Sequence, residues 1–443
     1  MLRIISDVED ARSGLLRRVP LEMEEAPLQL KEKIRASFGR ELTPSQVVEE
    51  ILGRVRSQGD EALLDYAHRL DGLDSDSLEV PAEEITQSYS RVSSDLVAAL
   101  NLAAQRIEAF HTGKRHSWMD FTEGGLGQRV HPLERVGVYV PGGTASYPST
   151  VLMAAIPARV AGVKEIFVTT PATGGEVSPA TLVAADIARV DRVFRVGGAQ
   201  AIAALAFGTR TVPRVDKICG PGNIFVQLAK KLVYGAVDID GLYGPTELVI
   251  VADETANPAF CAADLLAQAE HDPLASAILI TTSPDLAAEV QQEVATQADK
   301  LERRGIIEAS LESKGGIVLV ARVDQAAELV NEYAPEHLSI MLRDPWTFVD
   351  MIRNAGAIFV GEDSPEVVGD YVAGPSHVLP TGGTARFGSP LTTEDFVKVS
   401  SVVSVDRDIL NKIGPAAGII AHHEGLGGHA RAVEIRLSRE KSR

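Results

Sequence analysis

From Arg135 onward the chain repeats one pattern: a short β-branched run, a Gly or Pro turn, then an Ala- and Leu-rich stretch with helical spacing. Apolar runs joined by crossover helices are the building unit of a parallel sheet, so this pattern commits most of the chain to an α/β fold. The first series predicts strands over 136–140, 166–170, 192–196 and 217–219, with helices near 149–162, 179–189, 199–208 and 223–235. A second series predicts strands over 248–252, 277–281, 317–320, 338–342 and 357–360, with helices near 257–270, 284–301, 323–333 and 346–354. Two series imply two Rossmann-like βα units with separate parallel sheets.

Before Arg135 the text is mainly helical, with three- and four-residue apolar spacing over 42–66 and 93–110 and Thr43 and Ser45 as caps. Beyond Leu391 it returns to helix-like text broken by Gly425 to Gly428, which predicts a small helical tail. The length of 443 residues allows several cores. A net charge of -18 offers no positive field to a nucleic-acid backbone or an anionic lipid surface. Asp7, Glu9 and Asp10 interrupt the start, and no long uncharged apolar stretch occurs, so the expected location is cytoplasmic, without membrane attachment. Cys219 and Cys261 make no disulfide framework; Cys219, in KICGPGN without a nearby histidine in sequence, reads as a buried packing residue in preference to a nucleophile, and neither cysteine is assigned a role.

Three Gly-rich turns follow predicted strands: PGGTAS at 141–146, GGAQA at 197–201 and GPGN at 220–223. Such turns aim backbone N–H groups and a helix N-terminus at an anion, but none fits GxGxxG, so a plain βα turn is an equal reading of each. Gln268 and His271 stand three apart at the end of a predicted helix, a spacing that suits two ligands of one metal. Completing ligands could come from Asp370, His377, Glu424 or His429. His423 and His429 are six apart, which excludes an HExxH metalloprotease helix. In NEYAPEHL, Pro335 ends the preceding helix and sets Glu336 and His337 at the start of a strand. Extended backbone there would send the two side chains to opposite faces and to different tasks.

These segments together resemble the histidinol dehydrogenase family over nearly the whole chain. The residues that carry the resemblance are RVGVYVPGG, VGGAQAIAALAFGT, GPGN, QAEHDP, NEYAPEHL, SPEVVGDYVAGPSHVLPTGG and EGLGGH, in that order. The resemblance implies a zinc-dependent, NAD-linked oxidation of L-histidinol to L-histidine through a bound aldehyde, with two NAD reduced and one water consumed. It implies Gln268, His271, Asp370 and His429 as zinc ligands, and Glu336 and His337 as the acid/base pair. It further implies Tyr139, Gln200 and Asn223 as NAD contacts. Substrate would touch Ser149, Thr246, His377 and Glu424 as well as Gln268, His271, His337, Asp370 and His429. The implied assembly is a homodimer whose C-terminal units are exchanged, so that Glu424 and His429 act on the partner's site. Pattern and resemblance divide the chain into an arm over 1–34, a discontinuous α/β unit over 35–138 and 246–391, a second α/β unit over 139–245, and a tail over 392–443.

Three residues depart from the family's pattern. Tyr243 stands where a small residue is expected beside Thr246, Thr246 itself replaces a common serine, and Ser376 stands where asparagine is frequent. A phenol at 243 would reshape the substrate pocket, which keeps a second reading open: oxidation of another small polar or anionic primary alcohol. Zinc with Glu336 and a water would also serve a hydrolase, and the fold alone would serve a sensor.

Overall fold

The computed structural model describes residues 2–18, 28–114, 120–123, 125–142, 146–172 and 174–438. Parts of the predicted arm (19–27), of the PGGTAS turn (143–145) and of the tail (439–443) lie outside the described residues. Two compact units emerge: residues 1–114 with 133–396, and residues 115–132 with 397–443. The strands, in chain order, are β1 (Ile4–Ile5), β2 (Phe121–Glu123), β3 (Leu126–Pro132), β4 (Arg135–Tyr139), β5 (Glu165–Thr170), β6 (Arg192–Arg195) and β7 (Lys217–Cys219). They continue with β8 (Asp238–Ile239), β9 (Glu247–Ala252), β10 (Ser276–Thr281), β11 (Gly315–Leu319), β12 (His337–Met341), β13 (Ala357–Val360) and β14 (Val397–Val403).

The first unit holds both predicted sheets. One has the order β6-β5-β4-β7-β8 and the other β1-β11-β10-β9-β12-β13, and every pairing in both is parallel. The period of two is visible in β9. Leu248, Ile250 and Ala252 pack on one face against Cys261 and Leu265, while Val249 and Val251 pack on the other with Leu329 and Val330. With both faces covered, the strand reads as a continuous apolar run, which is why the sequence marked it so clearly. Cys219 and Cys261 are both buried and unbridged.

The helix Pro44–Gln58 starts where the sequence puts it. Thr43 and Gln46 form a capping box, Pro44 opens the first turn, and Val47, Val48, Ile51, Leu52 and Val55 make the buried stripe. Ser45 lies inside this helix and is not the cap. Gly59, at φ +59°, breaks the expected 42–66 segment before a second helix, Asp60–Tyr66.

Several elements differ from expectation: β2 and β3 form a hairpin in text read as helical, and β8 and the helix Arg304–Lys314 were not expected. The arm read as helical contributes β1, which pairs with β11 through Ile4 and Ile5, and only then the helix Val8–Ser13. Two residues are too few to show a period, so tertiary pairing alone decides this strand. The tail read as helical begins with β14, which pairs antiparallel with β3 over seven residues, with β2 on the far side of β3. Its residues are mostly exposed, so VKVSSVV carries no one-sided apolar pattern. Residues 115–132, expected in the 35–138 portion of an α/β unit, fall in the second unit through this pairing. The second unit then adds the helices Arg407–His423 and Gly427–Leu437, packed on each other. No helix among the described residues is long and apolar enough to cross a membrane.

Candidate active site

Glu336 and His337 sit where the helix Val323–Tyr333 gives way to β12. Ala334 takes a left-handed conformation, φ +51° and ψ 66°, and its N–H closes on Val330 O at 2.7 Å. This turn and Pro335 swing the chain so that Glu336 precedes the strand. The expectation of opposite faces therefore fails: the Glu336 carboxylate lies 3.7 Å from His337 Nδ1, and both side chains are buried. Their partners nevertheless differ. Glu336 Oε2 accepts from the Thr246 hydroxyl at 2.6 Å and from the Glu247 N–H at 2.9 Å. His337 Nδ1 lies 3.0 Å from the Glu247 carbonyl. A carbonyl can only accept, so Nδ1 carries the proton and Nε2 presents its lone pair.

Among the described residues that buried Nε2 has no hydrogen-bond partner, and Asp370 Oδ1 lies 3.8 Å away. Glu366, which sequence reading did not select, places Oε1 3.4 Å from His337 Nδ1. His337, Glu366 and Asp370 offer ligand-type atoms within 4.8 Å of one another. Asp370 and Glu366 lie four apart on the helix Glu366–Tyr371, so one turn brings them to one face. That spacing was the available signal for Glu366.

Gln268 completes this corner from the helix Pro258–Ala269. It is fully buried, its Nε2 donates to Thr246 Oγ1 at 2.8 Å, and its Oε1 has no partner among the described residues. The Thr246 hydroxyl thus links Gln268 to Glu336 and fixes the amide with its oxygen unsatisfied, the state a hard or borderline cation would relieve. His271 lies just beyond the helix end, not on its last turn, and its N–H reaches Gln268 O at 3.4 Å. Its side chain is exposed. His377 is held by Asp370 O at Nδ1, 2.8 Å, and by Thr150 Oγ1 at Nε2, 3.3 Å. Ser149, next to Thr150 in the helix Pro148–Ala161, is buried.

Burial drives these groups toward neutrality. It lifts the Glu336 and Glu366 carboxyls well above the usual carboxylate range and Asp370 to about 7. It also lowers His337 to about 3, with His271 and His377 adding to the effect, and lowers His377 to about 4. Neutral imidazoles beside carboxyls that lack a counter-charge, with an orphaned amide oxygen, are a donor set that fits zinc. Glu424 and His429 belong to the second unit. Glu424 caps the helix Arg407–His423, His429 lies in the first turn of Gly427–Leu437, and both are exposed.

Tyr139, Gln200 and Asn223 line a separate cavity of about 440 Å³, walled by Leu30, Ile34 and Phe38 of the helix Leu28–Phe38. Tyr139 Oη accepts from Gly198 N at 3.1 Å. Asn223 caps the helix Ile224–Val233 through Oδ1. Gly220 passes so close to β4 that an added Cβ would stand 2.1 Å from Tyr139 O, so the GPGN turn requires glycine there. Asp71, also missed by sequence reading, lines the same cavity. Its Oδ2 accepts from Gly197 N at 2.9 Å and from Gln200 Nε2 at 3.2 Å. Burial pushes its carboxyl up to about 6. A carboxylate therefore already occupies the N-terminus of the helix Gly198–Phe207, the spot where a phosphate sits in many dinucleotide folds.

The departures at 243 and 376 are absorbed structurally. The Lys230 ammonium lies 4.6 Å from the Tyr243 ring centroid, and Tyr243 N donates to Gln227 Oε1 at 2.8 Å. The phenol is thus committed to the network behind the GPGN turn. Ser376 is buried, donating to Met153 O at 3.0 Å and accepting from Val378 N at 3.2 Å.

The family model described as histidinol dehydrogenase matches residues 38–437. A histidinol dehydrogenase of Dehalococcoides mccartyi (strain CBDB1) is 52% identical over 440 residues, covering 98% of this chain and 100% of that protein. One from Deinococcus radiodurans is 50% identical over 436 residues, covering 97% and 98%. The crystal structure of histidinol dehydrogenase from Elizabethkingia anophelis superposes with a TM-score of 0.90 at 33% identity, covering 100% of this chain and 99% of that one.

Proposed function

This chain belongs to the histidinol dehydrogenase family, and from that premise we propose that it oxidises L-histidinol to L-histidine in two NAD-linked steps, with zinc, in the cytoplasm. It is an oxidoreductase by that membership. The observation that carries the finer reading is the corner around Thr246: one hydroxyl orients both Glu336 and Gln268, leaving the Gln268 oxygen buried without a partner among the described residues, while the equally unpartnered His337 Nε2 lies beside Asp370.

Gln268, His271 and Asp370 would hold the zinc with His429. When bound, zinc supplies Lewis acidity toward the substrate nitrogens and NAD supplies the hydride acceptor. His337 takes the alcohol proton at Nε2, because Nδ1 is committed to the Glu247 carbonyl. Glu336, whose Oε2 is oriented by the Thr246 hydroxyl and the Glu247 N–H, draws in its ionised form a proton from the water that adds to the aldehyde. Ser149 and His377 would line the substrate's side of the site. The cavity of Tyr139, Gln200, Asn223 and Asp71 would take NAD, with Asp71 accepting a ribose hydroxyl.

We place Glu424 and His429 in the site of a second copy, in an exchanged homodimer. Their exposure supports this, as does the apolar surface around them: Ile413, Ile419, Ile420, Leu426 and Ile435 are all more than 40% exposed. The reading in which another alcohol replaces histidinol draws on Tyr243 and Thr246; the Tyr243 ring is occupied with Lys230, and the Thr246 hydroxyl with Glu336 and Gln268. The test is the NADH formed per L-histidinol with limiting substrate, excess NAD and a chelated control. Two NADH per substrate, lost on chelation, is the expected result. One NADH, or none, would refute the four-electron oxidation.

A further inference from the structure

Glu247, the first residue of β9, touches both members of the acid/base pair. Its N–H donates to the Glu336 carboxylate at 2.9 Å, its carbonyl receives His337 Nδ1 at 3.0 Å, and its carboxylate Oε2 accepts from Glu336 N at 3.3 Å. Oε1 also accepts from Gly382 N at 3.0 Å. A buried carboxylate in this position needs a counter-charge, and Arg18 supplies it with both terminal nitrogens, Nη1 to Oε1 and Nη2 to Oε2. The same guanidinium donates to Tyr333 O through Nε at 3.1 Å and Nη2 at 2.7 Å, and stacks 3.5 Å from the Tyr333 ring centroid. Nη2 also reaches Ala334 O at 3.4 Å.

Arg18 therefore fastens three things to one plane: the start of β9, the end of the helix Val323–Tyr333, and the left-handed turn that delivers Glu336 and His337. It lies outside residues 38–437, the stretch that the family model matches. We propose that Arg18 is a positioning residue for the oxidation, a clamp from the N-terminal arm that holds the Glu336–His337 turn against Glu247. The proposal rests on the reading of Glu336 and His337 as the acid/base pair. A lysine could not replace it, because a single ammonium cannot pair with both carboxylate oxygens and still reach the Tyr333 carbonyl in one plane.

The test is steady-state kinetics of the full-length zinc-loaded enzyme and its Arg18→Ala and Arg18→Lys variants, with melting curves and added methylguanidinium. Misplacement of a reacting group costs about 10- to 100-fold, so kcat should fall by that factor in Arg18→Ala. The NAD cavity is lined by other residues, so KM for NAD should stay within about twofold. Arg18 is partly exposed, and methylguanidinium should restore a measurable part of the lost kcat. Unchanged kcat in Arg18→Ala overturns the proposal, and so does a loss that methylguanidinium does not relieve. If Arg18→Ala does not fold, Arg18→Lys decides: reduced kcat with unaltered KM for NAD supports the clamp, and wild-type kcat refutes it. A wild-type enzyme that fails to oxidise histidinol would instead refute the proposed function, before any variant is made.

Discussion

At the scale of single residues, the site depends on groups whose bonds leave one atom spare. Replacing His337 by Ala removes the proton acceptor but no proposed zinc ligand. Oxidation should therefore fall by about 100- to 10,000-fold while metal content by atomic absorption stays unchanged. Replacing Gln268 by Ala should lose both, since its oxygen, aimed by Thr246, is a proposed zinc ligand that the variant lacks. Ala334 offers a converse case. Its left-handed φ of 51° is unfavourable for any residue with a Cβ, so Ala334→Gly should raise stability by roughly 0.5–1 kcal/mol in denaturant unfolding. A drop in the midpoint would mean that packing of the buried methyl outweighs the relieved strain. Asp71 brings pH into the cofactor cavity. With its carboxyl lifted to about 6, it is neutral below that pH and ionised above it. If the ionised form accepts a ribose hydroxyl, KM for NAD should rise on the order of tenfold as pH falls from 7 to 5, and Asp71→Asn should flatten that dependence.

At the scale of elements, the GPGN turn shows how a loop is held from behind. Lys230, with no exposed surface, sits in the helix Ile224–Val233 and donates to Gly220 O at 3.0 Å and to Asp240 Oδ1 at 2.5 Å. Asp240 in turn accepts from Gly220 N at 2.6 Å through its other oxygen. Lys230→Met leaves Asp240 buried and unpaired and should cost about 3–5 kcal/mol by chemical denaturation. Lys230→Met/Asp240→Asn should recover much of that loss if the uncompensated charge is the cause. The turn's glycines were legible in the sequence, and so were the nine strands predicted from Arg135 to Val360, because most are apolar on both faces and each is followed by a helix. Two of the elements that escaped are decided by a partner far along the chain. β1 is two residues long, and β14 has exposed side chains and is defined by β3. Glu366 escaped for a related reason. Its four-residue spacing to Asp370 is the one local signal, and it does not by itself separate Glu366 from a solvated helical glutamate until β12 brings His337 beside it.

At the scale of the whole molecule, the proposed assembly can be read directly from mixed dimers. Gln268, His337 and Asp370 belong to the first unit and His429 to the second. If one chain's second unit serves its partner's site, His337→Ala and His429→Ala homodimers are each inactive, but in different halves of every site. Unfolding and refolding an equal mixture would pair unlike chains in about half of the dimers. In such a dimer, one site receives both substitutions and the other receives neither. About a quarter of wild-type activity should therefore return. If each chain completes its own site, every site in the mixture carries one substitution, and no activity returns at any mixing ratio. A monomer by sedimentation that turns over histidinol at full rate would remove the exchanged dimer altogether. The apolar surface of Ile413, Ile419, Ile420, Leu426 and Ile435 would then need another cover.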